Sequence, residues 1–113
     1  MSYDEGLAER IRESLYSKRG ITERKMFGGL AFMSRGYMFI GIVGEVLMAR
    51  VGPEYYQMAL MTPHVRVMDF TGKPMKGYVF VDPLGIESDT DLADWTERCH
   101  RFVQSLPPKK AKL

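Results

Sequence analysis

Near the start of the chain Leu7, Ile11 and Leu15 recur every fourth residue with Ala8 beside them, while Glu9, Arg10, Arg12 and Glu13 take the other side. That spacing predicts an amphipathic helix ending near Gly20. Ser2, with Glu5 three residues on, reads as its capping box. From Arg24 to Val51 the apolar residues come instead in short runs, divided by Ser34-Arg35-Gly36 and by Gly44-Glu45. The first divider fits a three-residue hairpin loop and the second a two-residue II′ turn. Three antiparallel strands are therefore expected, over about 24–33, 37–43 and 46–51.

Gly52-Pro53-Glu54 stops this run, and Pro53 is preset for the first turn of a short helix through about Leu60. Pro63 ends that helix. A fourth strand is expected over 65–70, a loop over 71–76 and a fifth strand over 77–81. Ser88 then caps a last helix, with Asp89, Asp91 and Asp94 in its opening turns where the helix dipole favours negative charge. Leu92, Trp95, Cys99, Phe102, Val103 and Leu106 form its apolar stripe, and Pro107 stops it. The order α-β-β-β-α-β-β-α predicts an α+β fold, a two-layer sandwich of an antiparallel sheet with helices on one face. It forms one domain over 1–108, followed by a basic, disordered tail at 109–113.

One feature conflicts with a sheet that has a wet face. Under strict alternation Tyr37, Phe39, Gly41 and Val43 point one way and Met38, Ile40 and Ile42 the other, and neither set is polar. Something other than water should cover the second face. A homodimer is the expected cover, with Tyr37, Phe39, Ile40 and Ile42 as the candidate dimer or partner face. A monomer folding helices over both faces, or a groove for a partner or ligand, are the alternatives.

Composition narrows the class. With 113 residues there is room for one core, which removes about 65% of the unfolded chain's surface from water. The longest apolar-rich stretch, 37–51, is broken by Gly41, Gly44, Glu45 and Arg50, short of the roughly 20 residues a spanning helix needs. The N-terminus lacks the pattern of a signal peptide, and the single cysteine fits a reducing compartment, so the cytoplasm is the expected location. The net charge of +2 hides a basic middle (+4 over 24–76) and an acidic stretch (−4 over 77–106). Both have ordinary explanations as solvated surface; the sharper reading is an anion-facing patch on the central strands.

Motifs with chemistry are scarce. No GxGxxG or P-loop spacing occurs, since the Gly72-Lys73 pair runs into Pro74. Gly28-Gly29 within a strand marks a bulge or a close backbone approach. Cys99 and His100 are neighbours on a helix and point about 100° apart, so they make no thiolate–imidazole pair. His64 stands alone. No metal or cofactor is implied, and no enzyme activity is expected. Basic and aromatic residues interleave at Arg24-Lys25-Met26-Phe27, Arg35-Gly36-Tyr37 and Lys76-Gly77-Tyr78, a pattern that single-strand binders use to stack bases. Core packing with charges at strand ends accounts for it better.

The runs KMFGGLAF (25–32), RVGPE (50–54), MDFTGKPMKGYVFVDP (68–83) and SLPP (105–108) resemble the N-terminal domain of the TfoX/Sxy competence-regulator family, over nearly the whole chain. The matching positions include Lys25, Met26, Phe27, Gly28, Gly29, Arg50, Gly52, Pro53, Met75, Lys76 and Gly77. The resemblance implies a bacterial cytoplasmic protein with a two-layer α/β fold similar to the secretion chaperone-like group, commonly dimeric. Full-length relatives of this kind carry a second, helical domain, and this sequence is expected to be the first domain alone. The leading expectation is a non-enzymatic regulatory module, a homodimer acting through contacts with a protein partner in transcription regulation, with no membrane association. Nucleic-acid binding through Arg24, Lys25, Arg35, Arg50 and Lys76 is a second reading. A small-molecule site or enzyme lined by Arg50, Lys76 and Tyr78 is a third.

Overall fold

A computed structural model describes residues 3–26, 28–69 and 72–109. Helix α1 (Glu5–Ser14) is capped by Asp4, whose carboxylate accepts from the backbone N–H of Gly6 and Leu7. The expected cap, Ser2, lies outside the described residues. The helix stops well before Gly20 because Leu15 already leaves helical geometry and residues 15–17 turn. Leu7, Ala8 and Ile11 form its buried stripe, as their spacing requires.

The stretch expected as one strand from Arg24 to Met33 is two: β1 (Ile21–Met26) and β2 (Gly29–Ser34), paired antiparallel with Met26 opposite Gly29. The chain reverses through Gly28, whose φ of +73° lies in the left-handed region that glycine adopts without cost. Strands β3 (Tyr37–Val43) and β4 (Val46–Arg50) complete a meander. The turn between β2 and β3 is tighter than expected. Only Arg35 and Gly36 lie between the paired residues Ser34 and Tyr37, and both have positive φ, as a two-residue I′ turn demands. The β3–β4 turn has Gly44 alone at positive φ, matching the expected II′ geometry.

After a turn at 53–55, short helix α2 spans Tyr56–Leu60, starting later than Pro53 suggested. Strand β5 is only Val65–Val67; Met68 and Asp69, expected as its continuation, lie in no strand, and Phe70, like Thr71 after it, lies outside the described residues. Strand β6 (Tyr78–Val81) returns between β4 and β5, so the sheet order is β1-β2-β3-β4-β6-β5, antiparallel throughout. A 3-10 turn at Pro83–Ile86 leads to α3 (Asp89–Gln104), where the Ser88 hydroxyl accepts from the Asp91 N–H at 3.0 Å as its spacing predicted. The fold is thus α+β with an antiparallel sheet, and the helical and strand regions come in the expected order.

The main core lies between the sheet and the three helices. It holds Leu7, Ile11, Leu30, Phe32, Leu47, Ala49, Val79, Leu92, Cys99 and Val103, among others. Phe39, Ile40 and Ile42 are in this same core with no exposed surface, and Tyr37 packs against it. These four were expected as a face for a partner, and the structure corrects that. The register shifts where Phe32 pairs with Ile40 but Met33 pairs with Met38, leaving Phe39 as an extra residue on β3. Such a bulge breaks the period of two, so Phe39 and Ile40 both join the helix side.

The other face has its own cover. Met48, Met68 and Phe80 form a second buried cluster, with Met38, Val43, Val46 and Tyr78 packed around it. Met68 follows β5, packs against Met48 and Phe80, and accepts at its carbonyl from the Met75 N–H at 3.1 Å, so the chain itself supplies part of the cover at the centre of this face.

Candidate functional site

The positions that carry the family resemblance do not stay together. Lys25 and Met26 lie on edge strand β1 and Gly28 in the turn after it; Phe27 lies outside the described residues. Gly29 serves a close approach, because a Cβ there would fall 2.0 Å from the Ile42 carbonyl oxygen. Side chains cannot be accommodated at that point of the β2–β3 pair.

A second group converges at the opposite end of the sheet. The N–H groups of Val51 and Gly52 both donate to the Gly77 carbonyl, at 2.8 and 3.0 Å, joining the RVGPE and MKG runs. Gly52 has φ +88°, and a Cβ on it would meet the Phe102 ring at 2.5 Å. Arg50, half-buried, sits among three rings, its guanidinium carbon 5.6 Å from the centre of Tyr37, 5.3 Å from Tyr78 and 5.6 Å from Phe102. No carboxylate among the described residues comes within ion-pair distance of it. The rings therefore stabilise its charge through their negative faces. One guanidinium in this way ties β3, β6 and α3 to the end of β4.

Arg35 and Lys109 approach the same Tyr37 ring, at 6.0 and 4.8 Å. Arg35 is held by the end of α3. It donates to the carbonyls of Val103 (3.1 Å), Gln104 (3.2 Å) and Leu106 (2.8 Å), at and just beyond the end of α3. The Tyr37 hydroxyl donates to the Pro107 carbonyl at 2.6 Å. Lys109, expected as the first residue of a free tail, is thus placed against the body of the domain; 110–113 lie outside the described residues.

These placements divide the basic residues proposed for nucleic acid. Arg35 and Arg50 meet at Tyr37, Lys76 is exposed in the loop before β6, and Arg24 and Lys25 lie on the β1 edge, adjacent in sequence and so on opposite faces. They do not make one patch, and Arg35 already donates to carbonyls at and just beyond the end of α3.

The concave surface lies elsewhere, along the outer side of α3. A groove of about 400 Å³ between α2 and α3 is lined by Tyr55, Thr62, Asp91, Asp94, Arg98 and Arg101, among others. A second lobe of about 350 Å³ continues toward the end of α3, floored by Val51, Pro53 and Phe102 and bordered by Arg101 and Ser105. Tyr55, Arg98 and Arg101 belong to both. Arg98 lies flat on Tyr55, its guanidinium carbon 3.6 Å from the ring centre, and divides the lobes. Neither lobe is lined by Arg50, Lys76 or Tyr78, so the residues suggested for a small-molecule pocket do not form these grooves. The sequence did offer a signal for them: Asp91, Asp94, Arg98 and Arg101 recur at helical spacing opposite the apolar stripe.

The remaining chemistry-bearing groups serve the structure. Burial pushes the Cys99 thiol well above its ordinary range, which keeps it protonated. Burial also lowers the His100 imidazole, with Lys18 adding to the effect and Glu97 opposing it; its Nε2 has no hydrogen-bond partner and its ring stands edge-on to Phe39. Among the described residues no three of His, Cys, Asp and Glu gather to hold a metal ion, and no helix is long and apolar enough to cross a membrane.

The model of the TfoX N-terminal domain family matches residues 13–103, which include the meander, the Arg50 cluster and most of both groove lobes. No curated protein and no solved structure matches the chain. With most of its length covered by that match, the chain belongs to the TfoX N-terminal domain family.

Proposed function

We propose that this domain is a non-enzymatic regulatory module of the cytoplasm, which works as a homodimer through protein contacts in transcription regulation. One observation carries the reading. Four of the six large apolar side chains left exposed among the described residues, Met58, Met61, Val67 and Leu84, belong to α2 and its flank, β5 and the 3-10 turn, at one edge of the molecule. Exposed apolar side chains gathered on one side are the ordinary mark of a protein-contact surface, and methionine adapts its shape to a partner. Membership of a family named for a competence regulator supports the regulatory part.

Light scattering after size exclusion at micromolar concentration should give twice the 12.9 kDa chain mass. A monomer throughout that range would sink the homodimer. For the regulatory part, transcript levels should shift in cells lacking the protein and shift in the same genes when only Met61 is replaced by Lys. Unchanged transcripts in both strains would overturn it.

A further inference from the structure

Arg50 is positioned without using its hydrogen bonds. A guanidinium carries five N–H donors, and no carboxylate, carbonyl or hydroxyl among the described residues accepts from any of those of Arg50. Its nitrogens are not sealed from water either, because among the described residues the buried side-chain polar atom that lacks a partner is His100 Nε2. Its place at the end of β4 is fixed by the pairing with Tyr78 and by the rings of Tyr37, Tyr78 and Phe102. A guanidinium held by rings, with its planar fork of donors open, is preorganised to receive an oxyanion.

The charges gathered nearest to it have the same sign. The Tyr37 ring that Arg50 meets at 5.6 Å is also approached by Lys109 Nζ at 4.8 Å and by the Arg35 guanidinium at 6.0 Å. None of these three cations has a carboxylate within ion-pair distance among the described residues. Lys109 is brought in by the bond from the Tyr37 hydroxyl to the Pro107 carbonyl, and its Cδ lies 3.3 Å from where a Cβ on Gly36 would stand. Arg35 contributes charge while donating to carbonyls at and beyond the end of α3. The Lys109 ammonium makes no hydrogen bond among the described residues, so it contributes charge and open donors. Like charges collected without a counter-ion repel one another, and a bound anion relieves that repulsion.

We propose that Arg50 and Lys109, beside Tyr37, bind the phosphate group of a small molecule, either inorganic phosphate or a phosphate monoester. Three cations with no acid among them match a dianion better than a single carboxylate, and the arginine fork suits paired phosphate oxygens. Arg24 and Lys25 lie on edge strand β1, so the site takes one phosphate and offers no continuous track for a nucleic-acid backbone. This goes beyond the protein-contact reading and does not depend on it.

The test is a titration followed by proton–nitrogen NMR at about pH 8 and constant ionic strength, with inorganic phosphate, glycerol phosphate and acetate as probes. The same spectra check folding. Phosphate should give saturable shifts at the amides of Tyr37, Val51, Gly52 and Gly77, with a dissociation constant of about 1 mM or tighter. Arg50→Gln should weaken binding by roughly tenfold or more. Lys109→Gln, on an exposed residue whose loss leaves the core intact, should weaken it by about three- to tenfold. Arg24→Gln with Lys25→Gln should stay within about twofold of wild type. Tighter binding of glycerol phosphate identifies an ester as the ligand, and tighter binding of inorganic phosphate identifies the free ion. No saturable change up to about 20 mM of either phosphate overturns the site. So does binding that Lys109→Gln and the β1 double variant weaken equally, which would reduce it to diffuse charge, and acetate binding as well as phosphate overturns the ligand class.

Discussion

The two edges of the sheet are finished in opposite ways. Strand β1 is six residues long and exposes Thr22, Glu23, Arg24 and Lys25 in a row. Its charge is anchored to α1: Arg12 donates to both carboxylate oxygens of Glu23, at 2.6 and 2.7 Å, and also pairs with Glu9. Strand β5 has three residues, with Arg66 pairing with Asp82 at 3.0 Å and lying over the Phe80 ring. Around it lie the exposed apolar residues of α2 and the 3-10 turn. A long edge offers unpaired N–H and C=O groups to any passing strand, and charged side chains make that addition unfavourable. A three-residue edge offers few such groups. Apolar side chains can be displayed there without inviting sheet extension, which is where a specific contact is best placed.

The contrast can be broken most severely from below. Phe32 lies fully buried opposite Glu23, so Phe32→Ala should cost about 3–5 kcal/mol in urea denaturation. Val67→Ala, at the exposed end of β5, should fall within about 0.5 kcal/mol of wild type. Similar losses at both sites would mean that the two edges are equally tied to the core. Between the edges, Arg50→Ala removes three ring contacts and should cost about 1–2 kcal/mol, while Phe102 loses fluorescence-silent packing that proton NMR of its ring would report.

Acid tests the charged edge. The Arg12 hydrogen bonds hold the Glu23 carboxyl below its ordinary range, and Lys18 does the same for Glu97. A carboxylate with a lowered folded pKa adds stability above its unfolded value, near 4.3, and loses it as pH falls through the folded value. The buried His100, lowered in the folded state, adds to the acid loss, because the unfolded chain takes up its proton first below about pH 6.5. Glu23→Gln should cost under about 1 kcal/mol at pH 7, since the pair is partly exposed, and should leave a shallower decline below pH 5. An unchanged acid limb would show that the pair contributes nothing. The smallest change in stability is expected for Arg24→Val with Lys25→Val, which removes the guard on β1. Its readout is association: concentration-dependent aggregates that Glu23→Gln alone does not produce. Monodisperse behaviour would show that these charges are not what protects the edge.

Much of this was legible from local chemistry. Ser88 before an acidic turn announced α3, and Gly44-Glu45 announced the β3–β4 turn, because each signal acts within a few residues. Gly28-Gly29 misled, since a turn and a close approach both select glycine, and the expected single strand became a hairpin. Phe39 misled more. One inserted residue inverted the face assigned to half of β3 and sent the candidate partner face into the core. Nothing local marks that bulge, nor the closure of Met68 over the outer face, because both depend on pairing between distant segments. The groove was legible on one side only: the spacing of Asp91, Asp94, Arg98 and Arg101 marks a helix face, but α2 and α3 are brought together only by the completed sheet.

The grip of Arg35 on the end of α3 bears on the order of events when the chain folds. Residues 21–50 form a meander whose strands meet their sequence neighbours, so their loops close quickly, whereas the contacts of Arg35 bridge 68 to 71 residues. The meander is expected to form first and α3 to be latched late. Arg35→Ala should then speed unfolding in stopped-flow experiments and leave the refolding rate almost unaltered. The latch sets how long the folded state lasts more than how fast it is reached.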